Sequence, residues 1–234
     1  MKFFALLFLV LSNTSFATSF KVGAYTEYPF SNGIETRFGL AETPVEIKIK
    51  GGVLSPGYIK SGSQVLMDLD QMNIDQAIIF DSAYESGSHF EIALGSKIPA
   101  LGSDFYFDFG YGFIKGQGTL AAEDTLSLVL PTLRARRIPL NRGLVGESLE
   151  MGLEGEIHYL QGSFGYQFPI NPLISLKTEV SLKSAIQNSL DVTYGPAALR
   201  GLFSDKLGRE QDELIKALPL VPTFILGVNY GLDM

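Results

Sequence analysis

The stretch that decides the fold is residues 105–113, which read FYFDFGYGF. Every odd position in it is Phe or Tyr, whereas the even positions are Tyr106, Asp108, Gly110 and Gly112. Because successive side chains of a β-strand point to opposite faces, this pattern predicts a strand with one aromatic face and one polar face. Such a strand separates two unlike environments.

The same alternation recurs along the whole chain. Eight runs show it, at 20–28, 34–40, 45–53, 90–98, 105–113, 150–168, 174–183 and 224–232. In the run 150–168 the apolar face changes from odd positions (Met151, Leu153, Ile157 and Tyr159) to even ones (Phe164, Tyr166 and Phe168). A β-bulge near Tyr159 would produce that change, so we predict one there.

The connections between the runs alternate in length. Those after the second, fourth and sixth runs are a few residues long, whereas those at 54–88, 116–148 and 185–221 are long. Short turns at one end and long loops at the other are typical of outer-membrane β-barrels, in which the short turns are periplasmic. The sequence therefore predicts an all-β, closed, antiparallel up-and-down barrel of eight strands with long extracellular loops.

The long loops carry weaker patterns. Residues 64–70 and 76–82 could be two further strands, which would make ten, but Val65, Leu69 and Met72 are also spaced as in a helix. Another surface helix is predicted from Leu207, Leu214, Ile215 and Leu218, with Ser204 as its N-cap.

The apolar face of the strands could point outwards to lipid or inwards to the interior of a soluble barrel. It carries no charged residue on any of the runs, and a charge there would cost about 2–4 kcal/mol at the centre of a bilayer. It is also rich in Phe and Tyr, which are too bulky for the interior of an eight-stranded barrel. We therefore predict that it faces lipid. The alternative is a soluble, periplasmic, lipocalin-like barrel that binds a ligand inside.

The chain resembles the small outer-membrane proteins of the OmpA-barrel, OmpX and OmpW type. The resemblance covers residues 20–234 and rests on the alternating strands, the unequal ends and the last strand, Phe224-x-Leu226-x-Val228-x-Tyr230-x-Leu232. It implies insertion by the barrel assembly machinery and contact with outer-membrane lipid and lipopolysaccharide. It leaves the oligomeric state open.

The N-terminus predicts export. Lys2 precedes an uncharged apolar run at 3–11, and small residues lead up to Ala17. This is the layout of a cleaved signal peptide, and nine apolar residues are too few for a transmembrane helix. We predict a signal peptide at 1–17, an outer-membrane barrel domain at 18–234 and a location in the bacterial outer membrane.

Composition excludes several classes of protein. The chain has no Cys, which rules out a disulfide scaffold and a thiolate metal site, and its net charge of −7 gives no basic footprint for nucleic acid. Neither a cofactor nor a metal is predicted.

The polar face of the strands supplies charges of both signs with an acidic excess. Enclosed charges persist only when they are paired or hydrated, so we predict a lumen crossed by ion pairs, closed or with at most a tiny cation-favouring pore. The predicted network comprises Lys21, Glu27, Glu35, Arg37, Glu46, Lys48, Lys50, Glu91, Lys97, Asp108, Glu150, Glu154, Glu156, Lys177, Glu179 and Lys183.

Function is the least determined property. A structural, adhesive or narrow-pore role is predicted rather than an enzyme, with an outer-membrane lipid hydrolase as an alternative. A hydrolase would need a Ser activated by His89, near Ser86 and Ser88, or by His158, and neither lies in a hydrolase motif. A cluster of arginines in one loop could hold lipopolysaccharide phosphates or simply be solvated; its members are Arg134, Arg136, Arg137 and Arg142.

Overall fold

The structure is a computed structural model that shows eight strands closed into a barrel. It describes residues 17–40, 43–102, 104–135, 149–196, 200, 201, 203, 204, 207, 210 and 220–233. The strands are β1 (Ala17–Tyr28), β2 (Ser31–Leu40), β3 (Val45–Leu54), β4 (Ser86–Lys97), β5 (Phe105–Leu120), β6 (Met151–Pro169), β7 (Ile174–Tyr194) and β8 (Val221–Asp233). Each strand is antiparallel to both neighbours, and β1 pairs with β8 to close the sheet. The predicted fold class is confirmed.

In the described parts of the long connections, three helices are continuous from end to end. They are α1 (Pro56–Asp68), α2 (Ile74–Ala83) and α3 (Ala122–Ala135). Pro56 suits the first turn of α1, where no backbone donor is needed. At the start of α2, Asn73 and Gln76 each accept a hydrogen bond from the other's backbone N–H, which forms a capping box. None of the helices in the described ranges is long and apolar enough to cross a bilayer.

The observed helices decide between eight and ten strands and test the predicted surface helix. Residues 64–70 and 76–82 fall mainly in α1 and α2, so the alternative of ten strands is wrong. The described residues between 200 and 210 are helical, and the Arg200 N–H donates to the Pro196 carbonyl. Ser204 therefore lies inside that helix and not at its N-cap. The predicted residues Leu214, Ile215 and Leu218 lie outside the described residues, as does the signal peptide up to residue 16.

The apolar faces of the strands form a continuous belt around the outside of the barrel. Leu94 and Phe109, for example, are 62% and 55% exposed, whereas their neighbour Asp108 is completely buried. This is the reverse of a soluble barrel, so the lipocalin-like alternative is wrong. Exposed apolar area on this scale requires a lipid environment, in which a closed barrel also satisfies every strand hydrogen bond.

The two ends of the barrel differ. Short connections at 41–44, 98–104 and 170–173 mark the short-turn end, while the helices and the tight turn at Pro29–Phe30 lie at the opposite, long-loop end. The wall at the long-loop end is uneven. β5, β6 and β7 have 16, 19 and 21 residues, whereas the other strands have 10 to 13.

The predicted orientation of the first half of β6 is wrong. Leu153 and Tyr159 point inwards and are buried, whereas Glu154 and Glu156 lie on the outer face. The bulge lies on β7 instead, because His158 pairs with Gln187 and Tyr159 pairs with Ala185, which leaves one extra residue between the two partners. The physical reason is that this part of β6 extends beyond the lipid belt. Its outer face meets water there and carries charges.

The belt makes a first prediction. Replacing Phe109 in the middle of the belt with Arg should reduce the free energy of unfolding in lipid vesicles by about 2–4 kcal/mol, because a charge would be placed against acyl chains. Gln117→Arg is the control, since Gln117 lies on the same face of β5 but beyond the belt. Urea titrations that gave equal losses for both variants would contradict the placement of the belt.

Candidate functional site: the ion-paired lumen

The inward faces of β1 to β5 and β7 bring twelve charged side chains together. We call this set the lumen network. It consists of six cations, Lys21, Arg37, Lys48, Lys50, Lys177 and Lys183, and six carboxylates, Glu27, Glu35, Glu46, Glu91, Asp108 and Glu179. The polar-face pattern predicts all twelve.

Arg37 on β2 is the most connected member. Its guanidinium donates two hydrogen bonds to Asp108 across the barrel, at 2.8 and 3.2 Å, and a third to Glu35 at 3.0 Å. Glu46 and Glu179 lie 3.5 Å away, and the Tyr106 ring stacks on the guanidinium at 4.4 Å. The planar fork of Arg suits this geometry, because it can meet several carboxylates at once.

Two lysines on β3 carry the network towards the long-loop end. The Lys48 ammonium lies 2.7 Å from Asp108 and 3.1 Å from both Glu91 and Glu179. The Lys50 ammonium is shared between Glu27 and Glu91, at 2.8 Å from each. Each lysine therefore compensates carboxylates on at least two other strands.

Two lysines on β7 complete the lumen network. Lys177 pairs with Glu35 and lies 3.3 Å from Glu179. Lys183 lies 3.0 Å from Glu27 and 3.2 Å from Glu91, and its ammonium sits 4.0 Å from the centre of the Tyr159 ring.

Four predicted members do not join the network. Lys97 is exposed at the short-turn end of β4, and Glu150 is exposed just before β6. Glu154 and Glu156 lie outside the barrel, where they contact Lys115 at 2.7 Å and His158 at 2.8 Å. Without these carboxylates the enclosed charges of the described residues balance, so the predicted acidic excess is wrong for this part of the chain.

A polar chain links the network to His89, and the sequence did not reveal it. The imidazole Nδ1 lies 2.7 Å from the Ser31 hydroxyl, and Nε2 is hydrogen-bonded to the Tyr159 hydroxyl, which in turn donates to Glu91 at 3.3 Å. Ser86 and Ser88, which flank His89 in sequence, are exposed. Ser31 and Tyr159 could have been found only from the true register of β2 and β6.

The Ser31–His89 pair has the spacing of a nucleophile and a general base. Both residues are enclosed, however, with 0% and 2% of their surface exposed. A lipid substrate would reach Ser31 only after the side chains above it had moved. In this structure the pair links β2 to β4, and the Tyr159 hydroxyl extends the contact to β6.

Glu27, His89 and Glu91 place one possible metal ligand each within 4.8 Å of one another. Their carboxylates are already held by ammonium groups, since Lys50 and Lys183 both contact Glu27 and Glu91. A divalent cation would have to displace two lysines to bind there.

An apolar plug covers the network at the long-loop end. It is formed by α1, α2 and the inward residues of β5 and β6, including Ile59, Phe80, Ile114 and Leu153. Leu128 of α3 and Phe203 and Leu207, which follow β7, pack into the same cluster. A cavity of about 50 Å³ remains beneath α1, beside Phe30 and the Tyr159 ring. The lumen is thus filled by charges below and by an apolar core above.

Tyr84, at the C-terminal end of α2, fixes the plug to the tall wall. Its ring lies directly on Gly116 of β5 and Gly155 of β6, where an added Cβ would come within 2.4 and 2.7 Å of ring atoms. Burial raises the pKa of the Tyr84 phenol well above its usual range, so the ring stays neutral. Only glycine leaves room for this contact.

Of the arginine cluster, the structure describes only the backbone of Arg134, near the end of α3. Arg136, Arg137 and Arg142 lie outside the described residues.

Comparison with known proteins yields similarities of overall shape. No protein-family model matches the chain, and no curated protein matches it significantly. Among solved structures, CarO2 of Acinetobacter baumannii has a TM-score of 0.42 at 11% identity, covering 92% of this chain and 99% of that chain. A major outer membrane protein from Thermus thermophilus has a TM-score of 0.45 at 13% identity, covering 92% of this chain and 98% of that chain.

The network makes a second prediction. Arg37→Met should lower the free energy of unfolding by about 3–5 kcal/mol, because it leaves Asp108 and Glu35 enclosed without their main partner. Lys115→Met, which removes the exposed pair with Glu154, should have little effect. Denaturant titration of the two variants in vesicles checks this. Equal stabilities of Arg37→Met and the wild type would show that the carboxylates are hydrated instead.

Proposed function

We propose that this protein is a bacterial outer-membrane barrel that is closed to solutes and has a structural or adhesive role. The observation that carries the proposal is the charge-balanced lumen network together with the plug above it. Both fill the space through which a pore would have to run.

The energetics of the network favour a closed barrel over a narrow pore. A passing ion would have to separate groups such as Lys48 and Asp108, which are 2.7 Å apart in a site without exposed surface. Leaving one member of such a pair uncompensated costs about 3–5 kcal/mol. The balance of charge also removes the basis for cation selectivity.

The difference between the two ends of the barrel supports one orientation of the protein in the membrane. In outer-membrane barrels the short turns face the periplasm, so the long-loop end would face the cell exterior. The barrel assembly machinery would insert the chain, as the resemblance implies. The rigid barrel would then present the helices and the loops beyond β5 to β7 at the cell surface, where loops carry binding functions.

Conductance tests the closed lumen. In planar bilayers the wild-type protein should show no steady channel current. A variant in which residues 56–84 are replaced by a short Gly-Ser turn should also remain silent, because the lumen network would still fill the barrel. Adding Lys48→Ser and Glu91→Ser to the shortened variant should open a measurable current, since it removes the two helices of the plug and two side chains that bridge the lumen.

The shortened variant without the serine substitutions is the matched control. Its heat-dependent migration on gels would report that the barrel has folded. A large, steady wild-type current would refute the proposal, and current through the shortened variant alone would assign the seal to the plug and not to the network.

Lipopolysaccharide is the proposed partner at the cell surface. Guanidinium groups bind phosphates through paired hydrogen bonds, and Arg134, Arg136, Arg137 and Arg142 lie within nine residues in the connection between β5 and β6. That connection begins on the tall side of the barrel, at the proposed exterior end.

Charge reversal tests this contact. Arg136→Glu with Arg137→Glu should weaken binding of purified lipopolysaccharide by about tenfold or more, because charge-assisted hydrogen bonds are lost. Arg200→Glu is the control, since Arg200 is exposed in another long connection. Surface plasmon resonance with the detergent-solubilised protein measures the difference. Unchanged affinity in the double variant would show that the cluster is only solvated.

A further inference from the structure

The wall of the barrel is low where β1 turns into β2, and α1 lies across this gap. The hairpin ends at Pro29 and Phe30, only a few residues beyond the belt. Gly62 of α1 sits directly on the turn, so that a Cβ at this position would come within 2.7 Å of the Pro29 ring. The helix therefore takes the place that a longer β1–β2 hairpin would occupy.

One side of α1 completes the interior. Ile59 and Leu66 pack towards the plug, beside Phe80 of α2. Ser63 on the same side is also buried. This side replaces the inward face of a strand.

Another side of α1 is apolar and exposed. Tyr58, Val65 and Leu69, which is the C-cap residue of α1, are spaced by seven and four residues, so they lie along one side of the helix. Val65 and Leu69 are 47% and 61% exposed. A separate polar side carries Lys60, Gln64 and Asp68, and it is exposed as well. Helix α1 thus has three sides that suit three environments: a protein core, lipid and water.

The exposed apolar side is continuous with the lipid-facing belt. The Tyr58 ring packs edge-on against Tyr28, with 5.7 Å between ring centres, and the Thr26 hydroxyl donates to the Tyr58 hydroxyl at 3.3 Å. Both Thr26 and Tyr28 lie on the outer face of β1, opposite the buried Tyr25 and Glu27. The belt therefore passes from the strand to the helix without a charged residue at the junction, and the two hydroxyl groups there are hydrogen-bonded to each other.

We propose that α1 is an interfacial helix whose Tyr58–Val65–Leu69 side rests on the acyl chains of the leaflet at the long-loop end. The proposal rests on the membrane placement proposed above and adds a second lipid contact, made by the plug itself. The polar side would face the headgroups, where Lys60 can reach anionic groups. The membrane surface would then hold the plug in place from outside.

Site-specific fluorescence tests the contact, and the absence of Cys in the chain makes single labels straightforward. The variants Val65→Cys and Leu69→Cys carry the environment-sensitive dye NBD on the apolar side, and Gln64→Cys carries it on the polar side as the matched control. Leu94→Cys places the dye in the middle of the belt. Each full-length protein is reconstituted into phosphatidylcholine vesicles with or without brominated acyl chains, and gel migration reports its folding.

The dye at positions 65 and 69 should lose about half of its fluorescence or more when the bromines are near the headgroup, since interfacial helices lie at that depth. The dye at position 64 should lose little, and the dye at position 94 should respond most to bromines deep in the bilayer. Quenching at 94 without quenching at 65 and 69 would overturn the proposal and leave the membrane placement standing. No quenching at 94 would overturn both, and equal quenching at 64 and 65 would overturn the assigned side of the helix.

Discussion

Twelve charged groups enclosed by an apolar shell constrain this protein more than any other feature. None of these groups can be left unpaired without a large loss of stability, so the side chains must meet across the barrel. The resulting contacts join strands that are not neighbours in the sheet, such as β2 with β5 through Arg37 and Asp108, and β3 with β7 through Lys48 and Glu179. Backbone hydrogen bonds fix each strand to its neighbours, and the lumen network fixes the cross-section.

The side chains of the plug are also enclosed and must find suitable partners, but they are apolar instead of charged. Above Lys183 and Tyr159 the inward positions become apolar, with Ile114, Ile157 and Leu153 in place of charges. The Tyr159 side chain marks the boundary, because its ring contacts the Lys183 ammonium and its hydroxyl contacts His89 and Glu91. The interior is thereby divided into two layers: charged groups pair with each other in one, and apolar groups pack against each other in the other.

Much of this arrangement can be predicted from local pattern. Period-two alternation identifies all eight strands, and the side of all twelve members of the lumen network follows from parity alone, as with Arg37 and Asp108. The prediction is wrong where the pattern has two explanations. Charge at Glu154 and Glu156 favours an inward side only within the lipid belt, but β6 continues past the belt, where charge is equally stable outside.

Other features depend on contacts that no local pattern contains. β7 has two register shifts, and its extra residue near Tyr159, Ile186, leaves only a subtle mark in the sequence, since Gln187 and Asn188 after it are both polar. The apolar residues of α2 do not follow one side of the helix, since Ile79 and Phe80 are buried whereas Ile74 is exposed, so their spacing does not separate helix from strand. Ser31 becomes a partner of His89 through the closure of the barrel, which brings together residues 58 positions apart.

Because the wall of the barrel is of unequal height, one side of it extends much further from the bilayer than the other. β7 continues for eleven residues after its last pairing with β8 at Lys183, up to Tyr194. At about 3.3 Å per residue, this overhang is on the order of 35 Å along the strand. The tip of β7 itself stands well away from the bilayer on this stiff support, while the low side keeps its own chain close to the surface. A bulky macromolecule approaching from solution would therefore meet the β5–β7 side first.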